Sequence, residues 1–194
     1  MIKIFYCNFA DENIPKEISE YRLNKILLAK KDRLSEINTA KALKAGFASF
    51  GINEQDVIYE ISENGKPFAK NFPSVHFSIS HSGNFSIVAF YDNVIGIDCE
   101  NKTRKISKET LSRFFTSREI DDFSSFPLRL WLSKESYVKY TGLGLALGRN
   151  EMQIPYFEDC IFISNTYFKR FTIGNFECAI CTSKCDVLQI EEVN

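Results

Sequence analysis

The stretch from His76 to Glu100, HFSISHSGNFSIVAFYDNVIGIDCE, constrains the fold more than any other part of the chain. Phe77, Ile79, Phe85, Ile87, Val88 and Phe90 give it an apolar, β-rich pattern. Polar breaks at Ser82-Gly83-Asn84 and Asp92-Asn93 predict strands folded back on one another. The stretch closes on two acids, Asp98 and Glu100, at the end of the apolar strand VIGIDCE. An acid inside an apolar strand costs free energy unless something positive meets it. On a strand, the two-residue spacing puts both carboxylates on one face, with Ile97 and Cys99 on the other. Two converging carboxylates repel unless one is protonated or a cation bridges them. Mg²⁺ is the natural bridge, since it takes one or two carboxylates and completes its shell with water and substrate phosphates. The plain alternative is a strand end that reaches solvent, where acids are ordinary.

The rest of the chain supplies helices on either side. IKIFYCNF reads as a strand, and Lys16 to about Phe50 is helical, with a break expected near Asn38-Thr39. DVIYEIS is a strand and ENGKP a turn. Helical pattern resumes from Ser107 to about Thr141, interrupted near Phe126-Pro127, and Pro127 suits a first helical turn. After GLGLALG, a loop without the Lys-Ser/Thr ending of a phosphate-binding P-loop, come the strands CIFISN, YFKRFTIG, NFECAICTS and VLQIEEV. A Gly-Asn-Phe turn followed by an apolar strand, a polar turn and a second apolar strand occurs twice, from Gly83 and from Gly174. The pattern predicts an α+β fold of two similar, pseudo-repeated halves, residues 1–95 and 96–194. Each half would be a small, mostly antiparallel sheet packed with helices, with a cleft between them. The 44% hydrophobic content and 18 Phe are enough for a sizeable core.

A formal net charge of -1 argues against a dedicated nucleic-acid binder. MIKIFYCNFADENIP has no apolar core with a small-residue cleavage site, and no run approaches the roughly 18 apolar residues of a membrane span. The expectation is a soluble, cytoplasmic protein with no membrane partner, its 6 cysteines being thiols. Cys178, Cys181 and Cys185 have a zinc-like spacing but no paired His, so they are read as small hydrophobes.

A second constellation lies in LWLSKESYVKYTG. Leu130, Trp131, Tyr137 and Val138 supply apolar contacts. Glu135 and Lys139, at i and i+4, share a helix face, with Lys134 about a hundred degrees around from Glu135. The plain account is an exposed ion pair. The functional account is a third metal carboxylate beside a cation able to meet a phosphate.

These stretches, taken in order, resemble the Sfp-type 4′-phosphopantetheinyl transferases. The series is NGKP at Asn64, FSISHSG at Phe77, IGIDCE at Ile95, RFFTSREI at Arg113 and LWLSKESYVKYTGLGL at Leu130, covering roughly Asn64 to Leu147. The resemblance implies transfer of the phosphopantetheine arm of coenzyme A to a serine of an acyl or peptidyl carrier protein, leaving adenosine 3′,5′-bisphosphate. It implies that Asp98, Glu100 and Glu135 hold Mg²⁺ and that Lys139 contacts phosphate and protonates the leaving group. It further implies that Ser80 and His81 hold the 3′-phosphate and that Lys66 lies beside the nucleotide. Lys134 is a further coenzyme A contact on this reading. The family's basic residue on the second N-terminal helix has Arg33, Lys30 and Lys31 as candidates, of which Arg33 is favoured. Residues 1–95 would form the nucleotide side and residues 96–194 the side with the carboxylates and catalytic lysine.

Charge adds an expected docking surface. Lys102 to Arg118 holds Lys102, Arg104, Lys105, Lys108, Arg113 and Arg118 against one acid, Glu109. Such a patch suits the acidic helix that the resemblance implies for a carrier, with Phe114 or Phe115 as apolar anchor. The serine proton needs a base, for which Glu135 is the first candidate and Glu119 a lesser one. Two competing readings remain: another Mg²⁺-dependent phosphodiesterase or nucleotidyltransferase using the same acids, and a carrier-docking module without catalysis. Two halves in one chain point to a monomer. Fatty-acid, polyketide and peptide synthesis are equally open as the pathway served.

Overall fold

The computed structural model describes residues 1–144 and 152–194. By its contacts the chain divides into two compact units, Met1–Ile95 with Asp186–Asn194, and Gly96–Cys185. The architecture is α+β in both, helices packed on small, largely antiparallel sheets.

In unit 1, β1 (Ile2–Cys7) is followed by α1 (Glu20–Leu28) and α2 (Arg33–Ala48). A two-stranded ribbon of β2 (Tyr59–Ile61) and β3 (Pro67–Ala69) precedes the hairpin of β4 (His76–Ser82) and β5 (Phe85–Tyr91). The main sheet has the order β10-β1-β5-β4, with β10 (Leu188–Glu192) parallel to β1 and the other pairs antiparallel. Every residue of β5 is buried, as a central strand covered on both faces requires. Helix α2 packs on β1 and β5 through Phe47, whose ring meets Phe77 and Phe90 edge to face at 5.6 and 5.1 Å.

The structure departs from two of the sequence expectations. The helical region breaks at residues 29–32, between α1 and α2, and not near Asn38-Thr39. Asn38 and Thr39 are buried in the middle of α2, where they serve tertiary contacts. Asn38 Nδ2 donates to the carbonyls of Phe9 (2.9 Å) and Asn84 (2.7 Å), and Thr39 Oγ1 donates to Ser86 Oγ (3.1 Å). A polar residue mid-helix is a break signal only when nothing outside the helix satisfies it. The second expectation ran the C-terminal half to residue 194. Residues 186–194 instead belong with unit 1, because β10 completes the sheet beside β1, pairing Ile2 with Leu188 and Ile4 with Ile190.

In unit 2, β6 (Ile95–Asn101) leads into α3 (Lys108–Phe114), α4 (Ser117–Asp122) and α5 (Pro127–Thr141). The strands β7 (Cys160–Ile163), β8 (Thr166–Ile173) and β9 (Phe176–Thr182) form an antiparallel meander, and β9 neighbours β6, giving the order β6-β9-β8-β7. Helix α5 starts with Pro127 in its first turn and stops at Gly142, whose φ of 70° suits the left-handed cap that glycine adopts at least cost. It packs on β9, over a core that includes Phe115, Phe123, Leu130, Phe168 and Cys181. The Gly-Asn-Phe sequences occupy like places, Gly83-Asn84 closing β4 on β5 and Gly174-Asn175 closing β8 on β9. The part of the Gly-Leu-Gly-Leu loop beyond residue 144 lies outside the described residues. No helix among the described residues is long and apolar enough to cross a membrane.

Candidate active site

The chemistry gathers where α5 crosses β6. Asp98 sits on β6 among buried neighbours and is 8% exposed. Lys139, in the last turn of α5, donates from Nζ to Asp98 Oδ1 at 2.8 Å. Glu135 stands one turn earlier on the same helix. Burial, and then the charge of Asp98, push the Glu135 carboxyl above the ordinary glutamate range, while Lys139 and Arg104 pull it back. Asp98, Glu135 and Lys139 therefore share one electrostatic neighbourhood.

Glu100 faces a different partner. Its carboxylate accepts from Arg104 Nη1 and from the amide of Asn101 (2.9 Å). The Arg104 guanidinium also lies 5.7 Å from the centre of the Trp131 ring, one turn before Glu135 on α5. Sequence reasoning counted Arg104 only as part of a basic patch; its position four residues after Glu100 was the one available signal.

Among the described residues, no three Asp, Glu, His or Cys side chains converge closely enough to hold a metal ion. Asp98 and Glu135 nevertheless have the right donor chemistry for Mg²⁺: hard oxygens, the charge of one raising the proton affinity of the other. Cys178 and Cys181 are three apart on β9 and so point to opposite faces, which rules out a shared ion.

Lys134 and Glu119 have taken another role. Lys134 is 6% exposed, and its ammonium donates to Glu119 Oε1 (3.1 Å) and to the Met152 carbonyl. Burial lowers its proton affinity against the opposing pull of Glu119. Glu119 is 2% exposed and also accepts from the Thr116 amide and hydroxyl (both 2.9 Å) and from the Ile154 amide (3.0 Å). It closes a capping box on α4, and the pattern Thr116-x-x-Glu119 was legible as one. The pair ties α4, α5 and the Met152–Ile154 segment together; neither group is placed to meet solvent. Phe115, offered as a docking anchor, is 2% exposed and belongs to the core, and Phe114 packs edge to face on Trp131.

The remaining predicted residues lie in unit 1. His81 is exposed near the end of β4, opposite Ser86, and Ser80 beside it is buried. Asn38 holds the carbonyl of Asn84 in the turn that follows. Lys66 ends the turn between β2 and β3, where Gly65 has a φ of 88°, and donates to the Ile95 carbonyl at 2.9 Å. Arg33 is the first residue of α2.

The family model described as the 4′-phosphopantetheinyl transferase superfamily matches residues 94–183, which is nearly all of unit 2. The chain is 36% identical over 118 residues to the 4′-phosphopantetheinyl transferase Sfp of Bacillus subtilis, covering 57% of this chain and 52% of that protein. It is 30% identical over 158 residues to the 4′-phosphopantetheinyl transferase gsp of Aneurinibacillus migulanus, covering 76% and 64%. It is 34% identical over 111 residues to the transferase HetI of a Nostoc strain, covering 50% and 46%. The chain thus spans about half the length of the Bacillus relatives it matches. The superfamily match falls on unit 2, and the Sfp-type resemblance read from the ordered motifs is borne out.

The buried pair yields a stability test. Lys134→Met leaves Glu119 as an uncompensated buried charge and should cost about 3–5 kcal/mol of stability in urea unfolding. Adding Glu119→Gln to it should restore most of that loss. A single variant within about 0.5 kcal/mol of wild type would show that Lys134 does not anchor α5.

Proposed function

We propose that this protein transfers the 4′-phosphopantetheine arm of coenzyme A to a serine of an acyl or peptidyl carrier protein. The observation that carries the reading is the meeting of α5 with β6, where Lys139 reaches Asp98 at 2.8 Å with Glu135 in the same field. The carrier serine oxygen bonds to the β-phosphorus of the pyrophosphate, and the bond from that phosphorus to the bridging oxygen breaks. Adenosine 3′,5′-bisphosphate leaves. Such transfers need positioning and charge neutralisation more than covalent help.

Asp98 and Glu135 would hold Mg²⁺, with Glu100 as a third ligand once Arg104 releases it. When bound, Mg²⁺ neutralises pyrophosphate charge. Lys139 supplies a compact cation for the phosphate and a proton for the leaving oxygen. Glu135, or a water that it orients, would accept the serine proton. Ser80 and His81 would hold the 3′-phosphate, with Lys66 and Arg33 beside the nucleotide. Lys134, read from sequence as a coenzyme A contact, is better assigned to holding α5. The protein would act as a cytoplasmic monomer.

The carrier would dock on the basic segment from Lys102 to Arg118. Next to it lies a groove of about 590 Å³ lined by Ile106, Leu111, Ile120, Phe123 and Leu130, with Lys108, Glu109 and Asp121 among its polar members. That groove offers the apolar contact that buried Phe115 cannot.

The direct test is the intact mass of an apo-carrier after incubation with this protein, coenzyme A and Mg²⁺. The carrier should gain the mass of the arm, and Asp98→Ala should abolish the gain. A nuclease or phosphodiesterase would leave the carrier unchanged. Near-normal turnover by Asp98→Ala at limiting Mg²⁺ would refute the metal assignment.

His81→Ala should raise KM for coenzyme A about tenfold while sparing dephospho-coenzyme A, which lacks the 3′-phosphate. Equal losses with both substrates would remove His81 from that phosphate.

Reversal of Lys105, Lys108 and Arg113 to Glu should raise KM for the carrier at low salt and leave KM for coenzyme A nearly unchanged. The difference should shrink as salt rises, since the Debye length is about 8 Å at 0.15 M. An unaltered carrier KM would end the docking assignment alone.

A further inference from the structure

Gly96 lies two residues before Asp98 on β6, hence on the same face of the strand. A Cβ placed on Gly96 would sit 2.0 Å from the Ser136 carbonyl oxygen, 2.4 Å from the Tyr140 amide nitrogen and 3.0 Å from the Tyr140 Cα. All three are backbone atoms of α5, so no side-chain rotation can relieve the overlap. The carbonyl of Ser136 and the amide of Tyr140 are four residues apart, one helical rung. Each directly follows a residue of the site: Ser136 follows Glu135, and Tyr140 follows Lys139. The strand is therefore notched where the helix turn bearing both working groups is seated.

The φ of Gly96 is not in the left-handed region, so conformational freedom is not the reason for glycine here. The reason is closeness of approach. Within unit 2, the Lys139–Asp98 contact of 2.8 Å depends on how far the helix backbone stands off the strand. An added methyl group would push α5 back by about 1 Å, because packed interiors have no slack to absorb it. We infer that Gly96 is a positioning residue: its missing side chain sets the α5–β6 spacing that lets Lys139 and Glu135 work with Asp98. The inference rests on the transferase reading for its catalytic consequence, but its structural consequence stands apart from that reading.

The experiment is Gly96→Ala in the full chain, with Ile97→Ala, on the opposite face of β6, as control. A crystal structure of the folded variant should show Lys139 Nζ more than about 4 Å from the Asp98 carboxylate, beyond ion-pair range. Transfer to an apo-carrier should fall about 100-fold in kcat, the cost of a displacement near 1 Å, with KM for coenzyme A within about twofold of wild type. Lys139→Ala should then cost far less in the Gly96→Ala background than in wild type, because the lysine would already be out of reach. General loosening would instead let the two losses multiply. An unchanged Lys139–Asp98 distance overturns the inference, as do multiplying losses. Failure of Gly96→Ala to fold at 10 °C also overturns it, since glycine would then be a requirement of folding and not of placement. If wild type transfers nothing to a carrier while the variant still loses the ion pair, the transferase reading fails and the spacing role survives.

Discussion

Lys134 is a full charge carried into an apolar interior, and the carboxylate that meets it determines where α5 can lie. Desolvating an ammonium costs several kcal/mol, so it stays charged only where a partner and further hydrogen bonds await it. Glu119 is that partner, and it is itself held by the Thr116 cap and the Ile154 amide. Three successive segments are thereby fixed at one buried point. The next residue along the helix is Glu135, and Lys139 is one turn further. The rotation of α5 that satisfies Lys134 thus turns Glu135 and Lys139 toward β6. Structure and the proposed chemistry are thus divided between adjacent residues of one helix.

Unit 1 uses the same economy with neutral groups. Asn38 reaches from the middle of α2 to the carbonyls of Phe9 and Asn84, and Ser86 donates to the Ser35 carbonyl at 2.8 Å. An amide with donors to spare can staple a turn without bringing in a charge. The turn it staples follows the strand end that bears His81, so a histidine exposed to solvent stands on a backbone fixed from below.

The sequence was most readable where periodicity alone decides the outcome. Asp98 and Glu100 had to share a strand face, and Glu135 and Lys139 a helix face; the helix start at Pro127 and the turn at Gly83-Asn84 also followed from local chemistry. Most of the failures involve partners outside the local segment. Asn38 resembled a helix breaker because Phe9 and Asn84, its partners, are not local. Lys134 resembled a ligand contact because Glu119 sits fifteen residues earlier and Met152 eighteen later. Phe115 seemed available for docking because its pattern does not reveal which side of α3 is covered. Arg104 could be counted as charge but not assigned to Glu100. The transferase reading itself came from the ordered motifs and not from any of these patterns.

The strand β10 has a consequence for how the chain reaches its fold. It lies parallel to β1, pairing Ile2 with Leu188, so the outer edge of β1 is covered by residues that follow unit 2 in the sequence. Closing a loop of that length is entropically slow, and parallel pairing offers no hairpin to start from. As the chain leaves the ribosome, β1 must wait with one row of amides and carbonyls unpaired until unit 2 has been made. An open edge in that interval is a template for strands of other nascent chains. Yield during synthesis would therefore be governed less by unit 2 than by how soon β10 arrives.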